Sequence, residues 1–304
     1  MIKSVTVTNF LGHILKMELT SPEKSGFIIK EITGLGPCKA DINSKELATS
    51  DGSVYNSARV NTRNIVMKLL FMQKPTVEDM RQKSYKFFPL KKKLKIVIET
   101  DNRICETYGY VESNEPDIWS EHSGCQISII CPDPYFHSSG ESGTQVTVFN
   151  GVEDAFEFPF SNESLTENLI EFGIATYSTE RVIYYTGDGE IGMNIDIIAN
   201  GDMSMLTIWN MRTREFFKID TDRLAALTGH GIIQGDHIVV STLRGEKSIT
   251  LTRDGVQYNI LNAVDRSSTW LTLTRGDNLI AYTAEEGGSN LEFRIDNKTI
   301  YEGV

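Results

Sequence analysis

The chain has 304 residues, and at roughly 150 residues per domain that length gives about two domains. Its 40% hydrophobic and 23% charged residues exclude wholesale disorder, and eight prolines against 24 glycines exclude a collagen-like polymer. A formal charge of 30 − 41 = −11 argues against a dedicated nucleic-acid binder, because phosphate contacts need a basic face.

The acidic balance is uneven. Residues 1–137 give 18 − 16 = +2 and residues 138–304 give 12 − 25 = −13, a step that suggests two surfaces with different neighbours. No apolar run approaches the ~18 residues that span a bilayer. The opening MIKSVTVTNFLGHI alternates like a strand and lacks the apolar core of a signal peptide.

Alternation with period two then runs from end to end. It is clear in Val5-Thr-Val-Thr8, Leu94-Lys-Ile-Val-Ile-Glu-Thr100, Gln145-Val-Thr-Val-Phe149, Met193-Asn-Ile-Asp-Ile-Ile198, Ser248-Ile-Thr-Leu-Thr252 and Leu291-Glu-Phe-Arg-Ile295. Such short runs, bounded by Gly, Asn, Asp or Pro, are half-buried antiparallel strands. The architecture reads as mainly β.

One segment breaks the pattern. Thr76 stands as an N-cap three residues before Asp79, and Val77, Met80, Ser84, Phe87 and Phe88 fall in one helical stripe. The spacing predicts one helix over 77–87, its phenylalanine face covering a sheet, stopped by Pro89. Lys91, Lys92 and Lys93 follow as a run that either meets an acidic partner or is simply solvated. In Cys125-Gln-Ile-Ser-Ile-Ile-Cys131 the two cysteines share a strand face with Ile127 and Ile129, which reads as buried packing rather than a metal site.

Two prolines in Cys131-Pro-Asp-Pro-Tyr-Phe136, followed by His137-Ser-Ser-Gly-Glu-Ser-Gly143, read as a stiff segment and then a polar linker. The expected domains are therefore 1–137 and 138–304. In the second half, Gly187-Asp-Gly-Glu-Ile-Gly192 fits a dinucleotide fingerprint, but an alternating run follows it where a helix is required. Asp254-Gly255 and Gly276-Asp277 read as hairpin turns.

Asp220-Thr-Asp222 reads as a turn before it reads as a cation site. His230 and His237, with Asp236 between them, lack the spacing and third ligand of a metal centre. The hydrolase, zincin and Walker motifs do not occur, so the sequence implies no catalytic residues and no cofactor. Trp209 and Trp270 are the candidates for stacking a sugar ring, against a plainer role as packing residues.

A resemblance emerges from blocks in the first half. Gly34-Leu-Gly-Pro-Cys-Lys-Ala-Asp-Ile-Asn43, Glu46-Leu-Ala-Thr-Ser-Asp-Gly-Ser-Val-Tyr-Asn-Ser-Ala-Arg59 and Asn64-Ile-Val-Met-Lys-Leu69 come first. Ile98-Glu-Thr-Asp-Asn-Arg103, Gly109-Tyr-Val-Glu-Ser-Asn-Glu-Pro116 and Ile129-Ile-Cys-Pro-Asp-Pro-Tyr135 continue the series. In order and spacing these resemble the distal tail proteins of long-tailed bacteriophages. Gly231-Ile-Ile-Gln-Gly-Asp236, Asn259-Ile-Leu261 and Ser268-Thr-Trp-Leu-Thr-Leu273 are similar to the second domain of that family.

The resemblance implies an N-terminal β-sandwich or split-barrel domain with one α-helix, followed by a C-terminal galectin-like β-sandwich. It implies a homo-hexameric ring at the virion tail tip, assembled in the host cytoplasm, between the tail tube protein and a lysin-like tail tip hub. The second domain would face outward as a platform for receptor-binding or other baseplate proteins. No extra polar insertion stands out as the long arm that some members carry.

Within that expectation Thr49, Asp51, Ser53 and Tyr55 form a polar turn long enough to reach a neighbouring protomer, or else an ordinary surface hairpin. Two other readings stay open. One is a module that binds cell-wall carbohydrate through Trp209 or Trp270, and the other is a secreted esterase or glycosidase. Neither membrane nor sequence-specific nucleic acid is expected as a partner.

Overall fold

A computed structural model describes residues 1–47, 51–117, 123–140, 143–149, 151–153, 174–176 and 179–304. The chain divides into two compact units, Met1–Gly143 with Ile300–Val304, and Thr144–Thr299.

The first unit is built on strands β1 (Ile2–Thr8), β2 (Ile14–Glu18), β3 (Phe27–Thr33), β4 (Ala40–Glu46), β5 (Ser53–Val60) and β6 (Arg63–Phe71). It continues through β7 (Lys93–Thr100), β8 (Ile104–Asp117), β9 (Gly124–Cys131) and β10 (Phe136–Ser138). Seven strands form an antiparallel sheet in the order β2-β1-β7-β8-β9-β6-β3. The two edge strands β2 and β3 also touch, so the sheet rolls toward closure around its core.

The core follows from the alternation. Val5, Val7, Met17, Ile65, Met67, Ile96, Ile98, Cys125, Ile127, Ile129 and Cys131 all point inward and are buried. The shared face of Cys125, Ile127, Ile129 and Cys131 is thus present. Burial pushes the thiols of Cys105 and Cys131 up to about 11 and that of Cys125 up to about 12, which keeps them protonated and inert near neutral pH.

Helix α2 (Val77–Phe87) covers this core, and α1 (Pro22–Ser25) is a single turn joining β2 to β3. Asp79 N donates to the Thr76 hydroxyl at 3.1 Å, and that hydroxyl donates to Asp79 Oδ2 at 2.5 Å, so the cap read from the sequence is made. The buried face is Met80, Ser84 and Phe88, while Val77 is exposed and Phe87 only partly buried. The reason lies at the C-terminus, where the chain leaves helical geometry at Phe88 (φ −120°, ψ 61°) and turns that ring inward.

The segment expected to be a linker begins as structure. His137 and Ser138 in β10 pair with Glu106 and Cys105 of β8, and Phe136 and His137 pair with Tyr301 and Ile300 of the chain's terminal strand, Ile300–Tyr301. Where they meet, Arg63 is 1% exposed. Its Nε donates to Pro134 O at 2.8 Å, its Nη1 to Gly34 O and Gly36 O at 2.5 and 2.7 Å, and its Nη2 to Glu302 O at 2.6 Å. The guanidinium also lies 4.2 Å from the centre of the Phe136 ring. Gly34 has φ +84°, and a Cβ there would stand 2.0 Å from Asn64 O, so only glycine fits beside this strand.

The second unit holds β11 (Thr144–Phe149), β12 (Gly151–Glu153), β13 (Ile174–Thr176), β14 (Glu180–Tyr185), β15 (Ile191–Gly192), β16 (Asn194–Ala199) and β17 (Thr207–Asn210). After β18 (Glu215–Lys218) and helix α3 (Thr221–Thr228) come β19 (His237–Ser241), β20 (Ser248–Arg253) and β21 (Val256–Asn259). The unit closes with β22 (Thr272–Leu273), β23 (Gly276–Thr283) and β24 (Leu291–Lys298). A six-stranded sheet runs β11-β24-β16-β19-β20-β21 and a four-stranded sheet runs β14-β23-β17-β18, with β12-β13 and β15-β22 as short pairs.

The two larger sheets pack face to face. Tyr282 of β23 and Phe293 of β24 bring their rings to 4.5 Å, and Ile183, Ile208, Phe217 and Ile280 of one sheet bury with Ile195, Ile197, Val240 and Ile295 of the other. Asp254 and Gly255 both take positive φ, 50° and 76°, and close the β20–β21 hairpin as expected. Gly276-Asp277 is instead the start of β23, where Gly276 (φ 98°) turns the chain between strands of different sheets. Helix α3 is not anticipated by the sequence reading. Among the described residues no helix is long and apolar enough to cross a membrane.

Three outcomes follow from this packing. Phe88→Ala should cost about 3–5 kcal/mol in urea unfolding, and Phe87→Ala clearly less. Arg63→Met should cost about 3 kcal/mol, because the buried Pro134 carbonyl and three partly buried ones lose their donor together. Iodoacetamide at pH 8 should label native protein at the partly exposed Cys38 alone and urea-unfolded protein at all four cysteines, read by mass spectrometry.

Candidate assembly surface

Strands β4 and β5 form a two-stranded ribbon of their own, exposed along its full length on both faces. Its base is fixed by Asn61 N donating to Lys39 O at 3.2 Å, and Gly52 (φ 88°) lies at the turn. Pairing runs Ala40 with Val60, Ile42 with Ala58, Ser44 with Tyr55 and Glu46 with Ser53, and a bulge falls between Asn43 and Ser44. Register therefore puts Ala40, Ile42, Ala58 and Val60 on one face, continued past the bulge by Ser44 and Tyr55, with Asp41, Arg59, Asn43, Ser57, Lys45 and Val54 on the other.

Of the residues expected at a ring interface, Asp51, Ser53 and Tyr55 lie at the tip and on the second strand of this ribbon, all exposed. Thr49 lies outside the described residues. The polar turn alone stands out in the sequence, and the ribbon also has an apolar face where Ile42 is 68% and Val60 38% exposed. The signal is present as small and aliphatic residues at every second position, in Ala40-Asp-Ile42 and Ala58-Arg-Val60. An isolated two-stranded ribbon is marginal in water, and an apolar stripe along one gains stability when another surface covers it.

The other candidates do not converge. Trp209 leans on Phe216 with ring centres 5.1 Å apart and donates from Nε1 to Thr283 Oγ1 at 3.2 Å. Trp270 packs on Phe217 at 5.3 Å, and Lys247 Nζ stands 5.7 Å from its ring centre. Phe216 and Phe217 are successive residues of β18, so the two tryptophans belong to opposite sides of that strand and build no common platform.

Asp220 is the N-cap of α3, its Oδ1 accepting from Asp222 N and Arg223 N at 3.0 and 3.1 Å. Asp236 is buried and takes Arg253 Nε and Nη2 at 2.7 and 2.6 Å, a bidentate ion pair that occupies both its oxygens. His237 faces Asp196 at 3.4 Å rather than His230. Among the described residues no group of three His, Cys, Asp or Glu is placed to hold a metal ion. After Gly187-Asp-Gly-Glu-Ile-Gly192 comes strand β16, not a helix N-terminus.

No protein-family model matches the chain, and no curated protein matches it. Among solved structures it is similar to the Dit protein of phage SPP1, described as a paradigm of the hub adsorption apparatus in phages that infect Gram-positive bacteria. The TM-score is 0.65 at 12% identity, over 97% of this chain and 99% of that one. A chain of the phage P2 baseplate in its activated conformation with calcium gives a TM-score of 0.46 at 11% identity, over 98% and 99% of the two chains. The strontium form gives 0.46 at 11%, over 97% and 98%. The chain has the fold of the SPP1 Dit protein over nearly its whole length, and its likeness to the distal tail proteins, first visible in residues 34–135, is a likeness of fold.

Proposed function

We propose that this protein is a structural component of a phage tail tip, an adaptor ring of six copies between the tail tube and the tip hub. Its second unit, in this reading, points outward as a platform for receptor-binding or other baseplate proteins. The observation that supports the proposal most is the β4–β5 ribbon, whose apolar face is exposed among the described residues. A contact that joins one copy's ribbon to a different patch of the next is heterologous, and it closes into a ring of six when each step turns the copy by one sixth of a full rotation.

Charge supports the same arrangement. The first unit carries 18 − 18 = 0 and the second 12 − 23 = −11. Neutral units approach one another without penalty, while six acidic ones favour separation at the periphery, in part screened by salt.

Light scattering on the purified full chain tests the reading. Six copies of 34.1 kDa should scatter as a particle of about 205 kDa with cyclic symmetry, and Ile42→Asp should return it to single chains without lowering the melting temperature. A monomer at every concentration, or a ring indifferent to Ile42→Asp, would overturn the proposal.

A further inference from the structure

The stretch from which the ribbon springs has little structure of its own. Between β3 and β4, residues 34–39 form neither helix nor strand. Arg63 holds the carbonyls of Gly34 and Gly36, and Leu35 O between them accepts from Val304 N at 3.0 Å. Gly303 lies so close that a Cβ there would stand 3.2 Å from Leu35 O and 3.3 Å from Gly36 Cα. Arg63 and residues 303 and 304 thus grip the root of the ribbon together.

Residues 303 and 304 belong to a short segment, Ile300–Val304, that rejoins the first unit after the second. Ile300 is buried, Tyr301 and Val304 pack on the first core, and Glu302 O takes one Arg63 donor at 2.6 Å across 239 positions of sequence. Thr299 alone separates this segment from β24. In the second unit β24 pairs with β11 on one edge, from Thr144 with Lys298 to Phe149 with Phe293, and with β16 on the other. The ladder with β11 brings residue 144 beside residue 298, and two residues later Ile300 meets His137 of β10. Folding of the second unit therefore delivers the segment to its place in the first.

We infer that residues 300–304 are a strap, which fixes the direction of the β4–β5 ribbon and closes only once the second unit has folded. Leverage makes such a strap necessary. Strand β5 has eight residues, so at ~3.3 Å per residue the ribbon reaches about 26 Å, and a play of about 20° at its root carries the tip about 9 Å. An apolar contact is lost beyond ~4.5 Å. A ribbon with a loose root keeps its residues but loses its aim, and ordering it on contact costs entropy that a fixed ribbon has already lost in folding. The consequence for assembly rests on the adaptor-ring reading: a chain whose second unit is unfolded carries the ribbon and still does not join a ring.

Hydrogen exchange of the full chain, read by mass spectrometry, tests the strap, with particle mass by light scattering on the same samples. Val304→Pro removes the donor to Leu35 O, and deletion of residues 302–304 also removes the Glu302 carbonyl while keeping Ile300 and Tyr301 paired with β10. Each should speed exchange over residues 34–47 and 53–61 about tenfold or more, because a two-stranded ribbon without support is marginal in water. Strands β6, β7, β8 and β9 and the second unit should stay as slow as in the wild type, and rings should return to single chains. Val240→Asp, which puts a charge into the core of the second unit, should unfold that unit and release the same residues of the first. Exchange over the ribbon that is unchanged in the strap variants, or unchanged when the second unit unfolds, overturns the inference. So does protection lost equally across β6 to β9, which would make the segment an ordinary part of the core, and so do rings that persist with a released ribbon. Wild-type chains that never form rings overturn the adaptor reading instead, and exchange then decides the strap by itself.

Discussion

Arg63 is the contact on which the first unit turns. Its cation is buried with no carboxylate in ion-pair contact among the described residues, and burial pulls its pKa down against the opposing pull of nearby groups, Asp133 among them. Four main-chain carbonyls and one aromatic face stand in for water, each supplying part of the solvation that a buried charge loses. A lysine has neither the planar fork nor enough donors to span the same set. Because the acceptors sit at residues 34, 36, 134 and 302, one side chain fixes three stretches of chain that are remote in sequence.

That clasp explains how the first unit is assembled from both ends of the sequence. The terminal strand pairs with β10, and the chain between them, from Thr144 to Thr299, forms a unit with its own core. An insertion whose two ends are held side by side leaves the host sheet undisturbed, provided those ends stay anchored. Tyr301 adds to the anchorage, since the Arg103 guanidinium lies 4.5 Å from its ring centre.

What the sequence discloses and what it conceals divides along local and non-local lines. Helix α2 is legible because its cap, its acidic first turn and its stripe all fall within residues 76–88, and the cysteine face of β9 is legible because alternation is a local rule. Which of Phe87 and Phe88 is buried depends on where the last turn unwinds, and a wheel drawn with constant period cannot express that. Helix α3 hid behind Asp220 and Asp222, which read as a turn, although Gly229 (φ 89°) closes the helix in the expected left-handed form. The strand at His137 hid because its partner, Ile300, lies at the far end of the chain.

The ribbon was half legible, and the reason bears on how an exposed apolar stripe is tolerated in water. A strand with no core on either side has no inside, so its apolar alternation conveys which face waits for a partner rather than which face is buried at home. Polar residues at the turn draw the eye first, yet they are what any exposed turn requires. The cost of displaying Ile42 and Val60 in water is bounded by confining them to one face of a narrow ribbon, with the Arg59–Asp41 pair on the reverse. A net charge of −11 over the whole chain then keeps free copies apart. Association can thus be specific without the free chain being sticky.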